Sequence, residues 1–425
     1  MCVGGEAKIW NMNYATDGGA DAAMILPSSD GFFLIGGEHP GGSVWQNQVR
    51  IVRTTSDGSI VWDKIYGKNN PLVSAAATPA GGLLLVATVG VVSPSKTALT
   101  AVDADGIEQW TEVHQGMLGG PIVAVSTGYT LISPLAANPE ASELMGIDPF
   151  GKKVWASSPM PAGFPRRIVK TAQGYAVLST KGASTPDVSA VMVLLRTDAV
   201  GQSLGQVNYG NSKLDNNDTY AADLLALPDG FLLVGAAQGP YGSSTLVNLN
   251  GKLIRTDATG EVLWEKTFDN FQSYDYFFRV AELPDGFALF GITTASAQSA
   301  MAGWIVRIDA FGNQLWQTSF ADSMWTRGYG GTANSAGLVI AGTYDPSLNK
   351  KPSEVKLWLA ETDYFGNSTC ATSGPCASKP ADACADGNPC TADLCDAAHS
   401  GCWHQNLADG VTCATGKKCA AGVCK

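Results

Sequence analysis

Residues 252–268 read Lys-Leu-Ile-Arg-Thr-Asp-Ala-Thr-Gly-Glu-Val-Leu-Trp-Glu-Lys-Thr-Phe. One β-rich run ends in Asp257, Gly260 follows three residues on, and Trp264 lies in a second run four residues later. Two strand-like runs about a Gly form a hairpin pattern, since Gly tolerates the backbone angles of a tight turn. The unit Asp-x-x-Gly-x-x-x-Trp recurs at Asp103…Gly106…Trp110, Asp148…Gly151…Trp155 and Asp309…Gly312…Trp316, with Thr55…Gly58…Trp62 as a near match. Two further copies, Asp198…Gly201…Gly205 and Asp363…Gly366…Cys370, keep the turn and lose the Trp.

A second unit interleaves with the first: a Gly followed by a short apolar run, beginning at Gly31, Gly82, Gly128, Gly174, Gly230, Gly286 and Gly337. There Gly is expected to supply the positive φ of a hairpin turn. Each period then reads as four strands, named A to D in chain order: Tyr220–Leu227 before the Gly, the apolar run after it, Lys252–Thr256, and the Trp-bearing Val262–Phe268. Four short strands repeated at about fifty residues are the pattern of a propeller blade. Seven copies predict an all-β, seven-bladed β-propeller. Trp10 lies on a D strand with no strands before it, and Val355–Thr362 is a C strand without its D strand. Residues 8–14 are therefore expected to complete blade seven and close the ring, which leaves no open sheet edge.

The 425 residues are 45% hydrophobic and only 15% charged, with 49 Gly and 21 Pro. That excludes a disordered chain and a coiled coil. A net charge of −11 argues against a nucleic-acid partner, which would need clustered Lys and Arg. The apolar stretch Leu83–Val92 is broken by Thr88 and Gly90 and is too short to span a bilayer.

Ten cysteines divide the chain: Cys2 stands alone, and Cys370, Cys376, Cys384, Cys390, Cys395, Cys402, Cys413, Cys419 and Cys424 crowd the end. The step in composition places a boundary between a propeller, residues 1–369, and a module, residues 370–425. So short a module lacks a sufficient core and needs staples. Its cysteine spacing does not match the paired CxxC of a zinc site. All ten cysteines are expected in disulfides, in an oxidising compartment: outside the cell, at its surface, or in a periplasm. The sequence shows no basic and apolar leader before Cys2. Cys2 has two readings. Its entry into blade seven and the place of Cys370 at a Trp position put both at one corner of the ring, which suits a disulfide; Cys376 is the next partner. Alternatively, Cys2-Val-Gly-Gly is an acylated lipoprotein start and a lipid anchor.

The Asp-x-x-Gly-x-x-x-Trp repeat resembles the tryptophan-docking motif of PQQ-like propellers, across residues 3–370. The resemblance implies that the Trp packs between blades and the Gly makes the C–D turn. It is a resemblance of scaffold: the propeller has no cysteines for the vicinal disulfide of the quinone-dependent dehydrogenases, and no cofactor is expected. The tail, Cys384-Ala-Asp-Gly-Asn-Pro-Cys390-Thr-Ala-Asp-Leu-Cys395-Asp through Gly401-Cys402-Trp-His to Asp409-Gly410-Val-Thr-Cys413, resembles the cysteine-rich repeat of slime-mould extracellular-matrix proteins, also found in secreted myxobacterial proteins. This implies a secreted, surface-associated protein.

In an up-and-down blade the A–B and C–D turns share one face, and the B–C and D–A connections share the other. The second set is longer and more variable here, so it is the expected binding face. Trp45, Tyr241, Tyr274, Tyr276, Trp325 and Tyr344 fall on it, with carboxylates interspersed, a combination suited to carbohydrate or to a surface or matrix protein. The starts of the A strands should line the channel, where Arg166, Arg279 and Arg327 would bind a carboxylate or be compensated by structural charges such as Asp223. Asp215, Asn217 and Asp218 form an oxygen cluster of the kind calcium takes. Four histidines, with His39 and His114 isolated, and no HExxH, P-loop or GxSxG leave no catalytic set. The expected function is non-enzymatic binding on the loop face. The alternatives are an extracytoplasmic carbohydrate-active hydrolase or lyase using a carboxylate pair 5–9 Å apart, or a propeller lipoprotein in envelope assembly.

Overall fold

The computed structural model describes residues 11–14, 20–38, 48–68, 72–89, 96–158, 160, 163–182, 190–210, 218–238, 249–270, 274–294, 301–320, 325–334, 337–345, 355–364, 366, 388, 390–396, 401–406, 412–414, 417–420 and 423–425. The first strand is β1 (Asn11–Tyr14). Blade one comprises β2 (Ala20–Pro27), β3 (Gly31–Glu38), β4 (Gln48–Thr55) and β5 (Ile60–Lys68). Blade two is β6 (Leu72–Ala77), β7 (Leu83–Val89), β8 (Lys96–Val102) and β9 (Glu108–Gln115). Blade three is β10 (Ile122–Val125), β11 (Gly128–Leu135), β12 (Asn138–Ile147) and β13 (Lys153–Ala156). Blade four is β14 (Phe164–Lys170), β15 (Gly174–Lys181), β16 (Val191–Asp198) and β17 (Ser203–Tyr209). Blade five is β18 (Thr219–Leu227), β19 (Gly230–Gln238), β20 (Leu249–Asp257) and β21 (Val262–Phe268). Blade six is β22 (Tyr276–Leu283), β23 (Gly286–Thr294), β24 (Met301–Asp309) and β25 (Gln314–Phe320). Blade seven is β26 (Trp325–Ala333), β27 (Leu338–Asp345) and β28 (Lys356–Thr362), with β1 as its fourth strand.

The result is an all-β, seven-bladed propeller. The N-terminal strand closes it as expected: β1 runs antiparallel to β28, with Asn11 opposite Ala360 and Tyr14 opposite Leu357. Trp10 lies outside the described residues. Tyr14 is buried, and its side chain joins Leu357 and Leu359 of blade seven to Ile25, Phe32 and Leu34 of blade one in a single core. Closure is thus a packing event between first and last blades as well as a strand pairing.

Position within a blade explains sequence pattern. The second strand is covered on both faces by neighbouring blades, so β23 is buried at all nine positions and reads as an unbroken apolar run. The outermost strand has one edge at the rim, and β21 alternates exposed and half-buried residues up to a buried Phe268.

The repeat motif is turn chemistry. Asp257 Oδ1 accepts the amides of Thr259 and Glu261, and Asp103, Asp148, Asp198 and Asp309 accept the corresponding pairs at their own turns. One carboxylate oxygen thereby satisfies two amides that the turn leaves without a ladder partner. The Gly three residues on has φ between 73° and 91° at all seven turns, the left-handed region. The glycine opening each second strand has the expected positive φ in four blades, at Gly128, Gly174, Gly230 and Gly286, but a second cause operates in all seven. Gly31, Gly82 and Gly337 do not adopt a positive φ; a Cβ there would lie 2.0, 2.1 and 1.8 Å from the carbonyl oxygens of Thr54, Val102 and Thr362. Close approach of the third strand, shared by all seven, demands the Gly.

Blades lock together through the Trp. Trp62 Nε1 donates to the Ala104 carbonyl of the next blade at 2.9 Å, and Trp316 Nε1 to the Tyr364 carbonyl at 3.1 Å. Trp110, Trp155 and Trp264 cover the turn glycines Gly151, Gly201 and Gly312 of their neighbours. These indoles are half-buried at the rim, where fuller burial is expected from sequence. Among the described residues the fully covered indoles are Trp304 and Trp358, in third strands. A second tie, outside the Asp-x-x-Gly-x-x-x-Trp motif, stands four residues past the Trp position. The hydroxyls of Tyr14, Tyr66 and Tyr209 donate to the carbonyls of Gly58, Gly106 and Gly260 at 2.7, 2.8 and 2.7 Å. His114 Nε2 does the same to Gly151 at 3.0 Å, which makes it a strut.

The tail contains the hairpin β29 (Thr391–Asp396) and β30 (Gly401–Asn406), and the three strands β31 (Thr412–Ala414), β32 (Lys417–Ala420) and β33 (Val423–Cys424). Cys390 and Cys419 form a disulfide with Cα atoms 5.4 Å apart. Cys424 is also disulfide-bonded, and Cys395 lies opposite Cys402 in the hairpin. No cysteine is free among the described residues. The side chains of Cys395, Cys402 and Cys413, and all of Cys2, Cys370, Cys376 and Cys384, lie outside them, and with these the ring-closing disulfide.

Candidate functional site

The innermost strands share an irregularity that decides which side chains meet at the channel. The pairing of first with second strand slips by one residue between Pro165 and Arg167, Ala221 and Asp223, Phe277 and Arg279, and Gly328 and Gly330, with like slips in blades one and two. Each slip leaves one bulged residue: Arg166, Ala222, Phe278 or Tyr329. A bulge turns its side chain out of the ladder, and the next residue takes the equivalent place from blade to blade.

Arg167, Asp223 and Arg279 occupy that place in blades four, five and six. Asp223 Oδ1 lies 3.1 Å from Arg167 Nε and 3.6 Å from Arg279 Nη1, while its Oδ2 accepts the Val280 amide at 3.0 Å. Two guanidiniums thus face one buried carboxylate. Burial pushes the Arg279 guanidinium below its ordinary range; Asp223 opposes that shift and Arg167 adds to it. Compensated charge was one of the two expectations for this channel, but the pairing arginine of blade four is Arg167. Arg166 sits on the bulge and is exposed. The side chain of Arg327 lies outside the described residues.

Aromatic residues cluster beside this ion triad. Tyr276 stacks on Phe278 with ring centroids 4.6 Å apart, and Phe278 meets Tyr329 edge-on at 5.2 Å. The Tyr276 hydroxyl donates to the Ala221 carbonyl at 3.3 Å. Burial pushes its phenol up to about 12, with the charge of Arg166 working against the shift. Tyr220 donates to Asp218 Oδ2 at 2.8 Å. Burial and Asp218 raise the Tyr220 phenol, and Tyr276 and Tyr274 add to the rise. Four of these residues escaped the sequence reading: Arg167, Tyr220, Phe278 and Tyr329. Tyr220 was legible as an aromatic at the start of a first strand. The other three depend on a bulge that no residue pattern announces.

The remaining candidates divide. Tyr274 is half-buried and pairs through its backbone with Leu249. Tyr344 packs on the core containing Trp358 and Ile340, a structural place. Trp45 and Tyr241, and the side chain of Trp325, lie outside the described residues. So do Asp215 and Asn217 of the calcium cluster, and His39. Asp218, the described member, accepts the Ala190 amide at 2.7 Å and the Tyr220 hydroxyl, so both its oxygens serve the fold. No group of three His, Cys, Asp or Glu that could hold a metal occurs among the described residues. Asp275 is wholly buried and accepts the Asn270 amide at 2.8 Å. Burial lifts its carboxyl to about 6, with hydrogen bonds from Thr293 and Asn270 opposing.

No protein-family model matches this chain, and no curated protein does. Solved structures resemble it in shape. The extracellular domains 1–2 of Drosophila Semaphorin 1a align over 92% of this chain and 94% of their own, at 10% identity and a TM-score of 0.50. The α-L-arabinanase of Penicillium chrysogenum, complexed with arabinobiose, aligns over 83% and 98% at 12% identity and 0.47. The β-propeller domain of the Trilobed protease from Pyrococcus furiosus aligns over 82% and 98% at 10% identity and 0.43. At such identities the likeness concerns fold alone.

Proposed function

We propose that this chain is an extracytoplasmic, non-enzymatic binding protein that takes carbohydrate at the channel mouth, on the face of the B–C and D–A connections. The observation that carries the reading is the contiguous aromatic run Tyr276, Phe278 and Tyr329, beside the exposed Arg166. Aromatic faces pack on the apolar side of sugar rings while phenols, guanidiniums and amides meet their hydroxyls. The carboxylates of this region support binding over hydrolysis. Asp218 is committed to hydrogen bonds and Asp223 to ion pairs. Asp275 has the proton affinity of an acid catalyst but is wholly covered, out of reach of a ligand. The disulfides of the tail support an oxidising compartment; in this reading residues 370–425 are a second, matrix-linking module. A glycan array of the wild type, repeated with Tyr329→Ala, tests the site. The expected result is retention of a defined glycan class and loss of at least tenfold in affinity on substitution. An array without hits, or hits indifferent to Tyr329→Ala, overturns it, and release of shortened products from a hit makes the protein a hydrolase or lyase.

A further inference from the structure

The opposite face carries a cavity that the repeat itself explains. Blade four is the repeat in which Gly205 replaces the docking Trp. At the junction of blades four and five lies a cavity of about 540 Å³, lined among others by Leu204, Arg196, Phe231 and Ala258, within the volume range of small-molecule sites. These residues stand where an indole would have its contacts. Trp155 packs on Tyr175, 6.4 Å between centroids, and Phe231 is the counterpart of Tyr175 in the next blade. Trp62 donates to the carbonyl of Ala104, the residue after the turn Asp, and Ala258 holds that place after Asp257.

The charge partner is missing too. At this level of the third strand, Arg53, Arg255 and Arg307 pair with Asp30, Asp229 and Asp285, each one residue before the second-strand glycine. In blade four the arginine is kept as Arg196, but the residue before Gly174 is Gln173. Arg196 has no carboxylate partner among the described residues. Its Nη1 donates to the Ala258 carbonyl at 3.1 Å, and its Nη2 reaches across the vacant side of Gly205. Lys170 and Glu282 also line the cavity. Arg53 and Trp62 together donate to Ala104, whereas among the described residues the Ala258 carbonyl takes only the arginine, leaving a lone pair for a ring N–H.

We propose that this cavity binds a planar aromatic acid of the indole type, whose ring takes the place of the absent tryptophan and whose carboxylate pairs with Arg196 in place of the absent aspartate. The site is on the other face from the carbohydrate site and stands independently of that reading. Calorimetric titration of the full chain with indole-3-propionate tests it, with indole-3-propionamide as the neutral control. Saturable one-to-one binding is expected, at least tenfold weaker for the amide and for Arg196→Gln. Gln173→Asp supplies the internal carboxylate seen in three other blades; it should weaken binding at least fivefold while the protein melts no lower than wild type. That variant keeps the test decisive should Arg196→Gln fail to fold. No saturable binding by the wild type, equal binding of acid and amide, or undiminished affinity in Gln173→Asp overturns the proposal.

Discussion

The junction between blades one and two and that between blades four and five are built on one plan and finished differently. In the first, Trp62 and Arg53 both donate to Ala104, Arg53 pairs with Asp30, and Tyr66 donates to Gly106. In the second, Tyr209 and Arg196 keep their bonds to the next turn, but the indole and the aspartate are gone. The ring tolerates the loss because each junction is held by several independent ties, with an apolar core between the blades. Around Gly205 that core is Leu178, Met192 and Leu194 against Leu224, Phe231 and Leu233. Docking by Trp is therefore a reinforcement at the rim, and where it is absent the rim opens into a cavity.

The comparison can be broken most severely at the junction of blades seven and one. Deleting residues 1–14 removes β1, its pairing with β28 and the buried Tyr14. The expected outcome is loss of cooperative unfolding, or aggregation through the bared edge of β28, read by calorimetry and light scattering. Unchanged melting would show that the closing strand is dispensable. Next in size is Trp264→Ala at a sealed junction. It should cost about 2–4 kcal/mol by denaturant titration, toward the lower part of the range for large aromatics because the indole is half-buried. A near-zero change would show that the indole adds nothing to the core it covers.

A finer test sets tyrosine against tyrosine. Tyr66→Phe should cost about 1 kcal/mol, the usual net value of a hydrogen bond. Tyr209→Phe should cost more, since its junction has no indole to share the load. Equal costs would mean that the two ties do not depend on the indole beside them.

A last test lies at Asp275, away from either junction. Its carboxyl, raised to about 6 in the fold, binds a proton more tightly folded than unfolded. Its favourable contribution is therefore complete below the ordinary carboxylate range and is lost as pH rises through about 6. Relative to Asp275→Asn, the wild type should lose stability across that interval, measured by denaturant titration at pH 4 and pH 7. A constant difference would place the carboxyl in contact with water.

The channel mouth was less legible than the blades. Asp223 and Arg279 were foreseen on the inner strands, whereas the assignment of Arg166 to their ring missed by one residue. The bulge between Pro165 and Arg167 shifts the register there, and a shift of one exchanges the faces of a strand. Bulges arise from how an inner strand bends at the axis, so Phe278 and Tyr329 carried no signal of their meeting.

The repeat of Asp, Gly and Trp determined by itself the blade, the number of blades and the place of the closing strand. Those features are local, set by turn chemistry and by which residues a blade covers. Tertiary structure alone decided which side chains face one another across the axis and between blades, because those contacts join residues about fifty positions apart. Only there did the vacant Gly205 site, the lone Arg196 and the missing aspartate at Gln173 come together as one cavity.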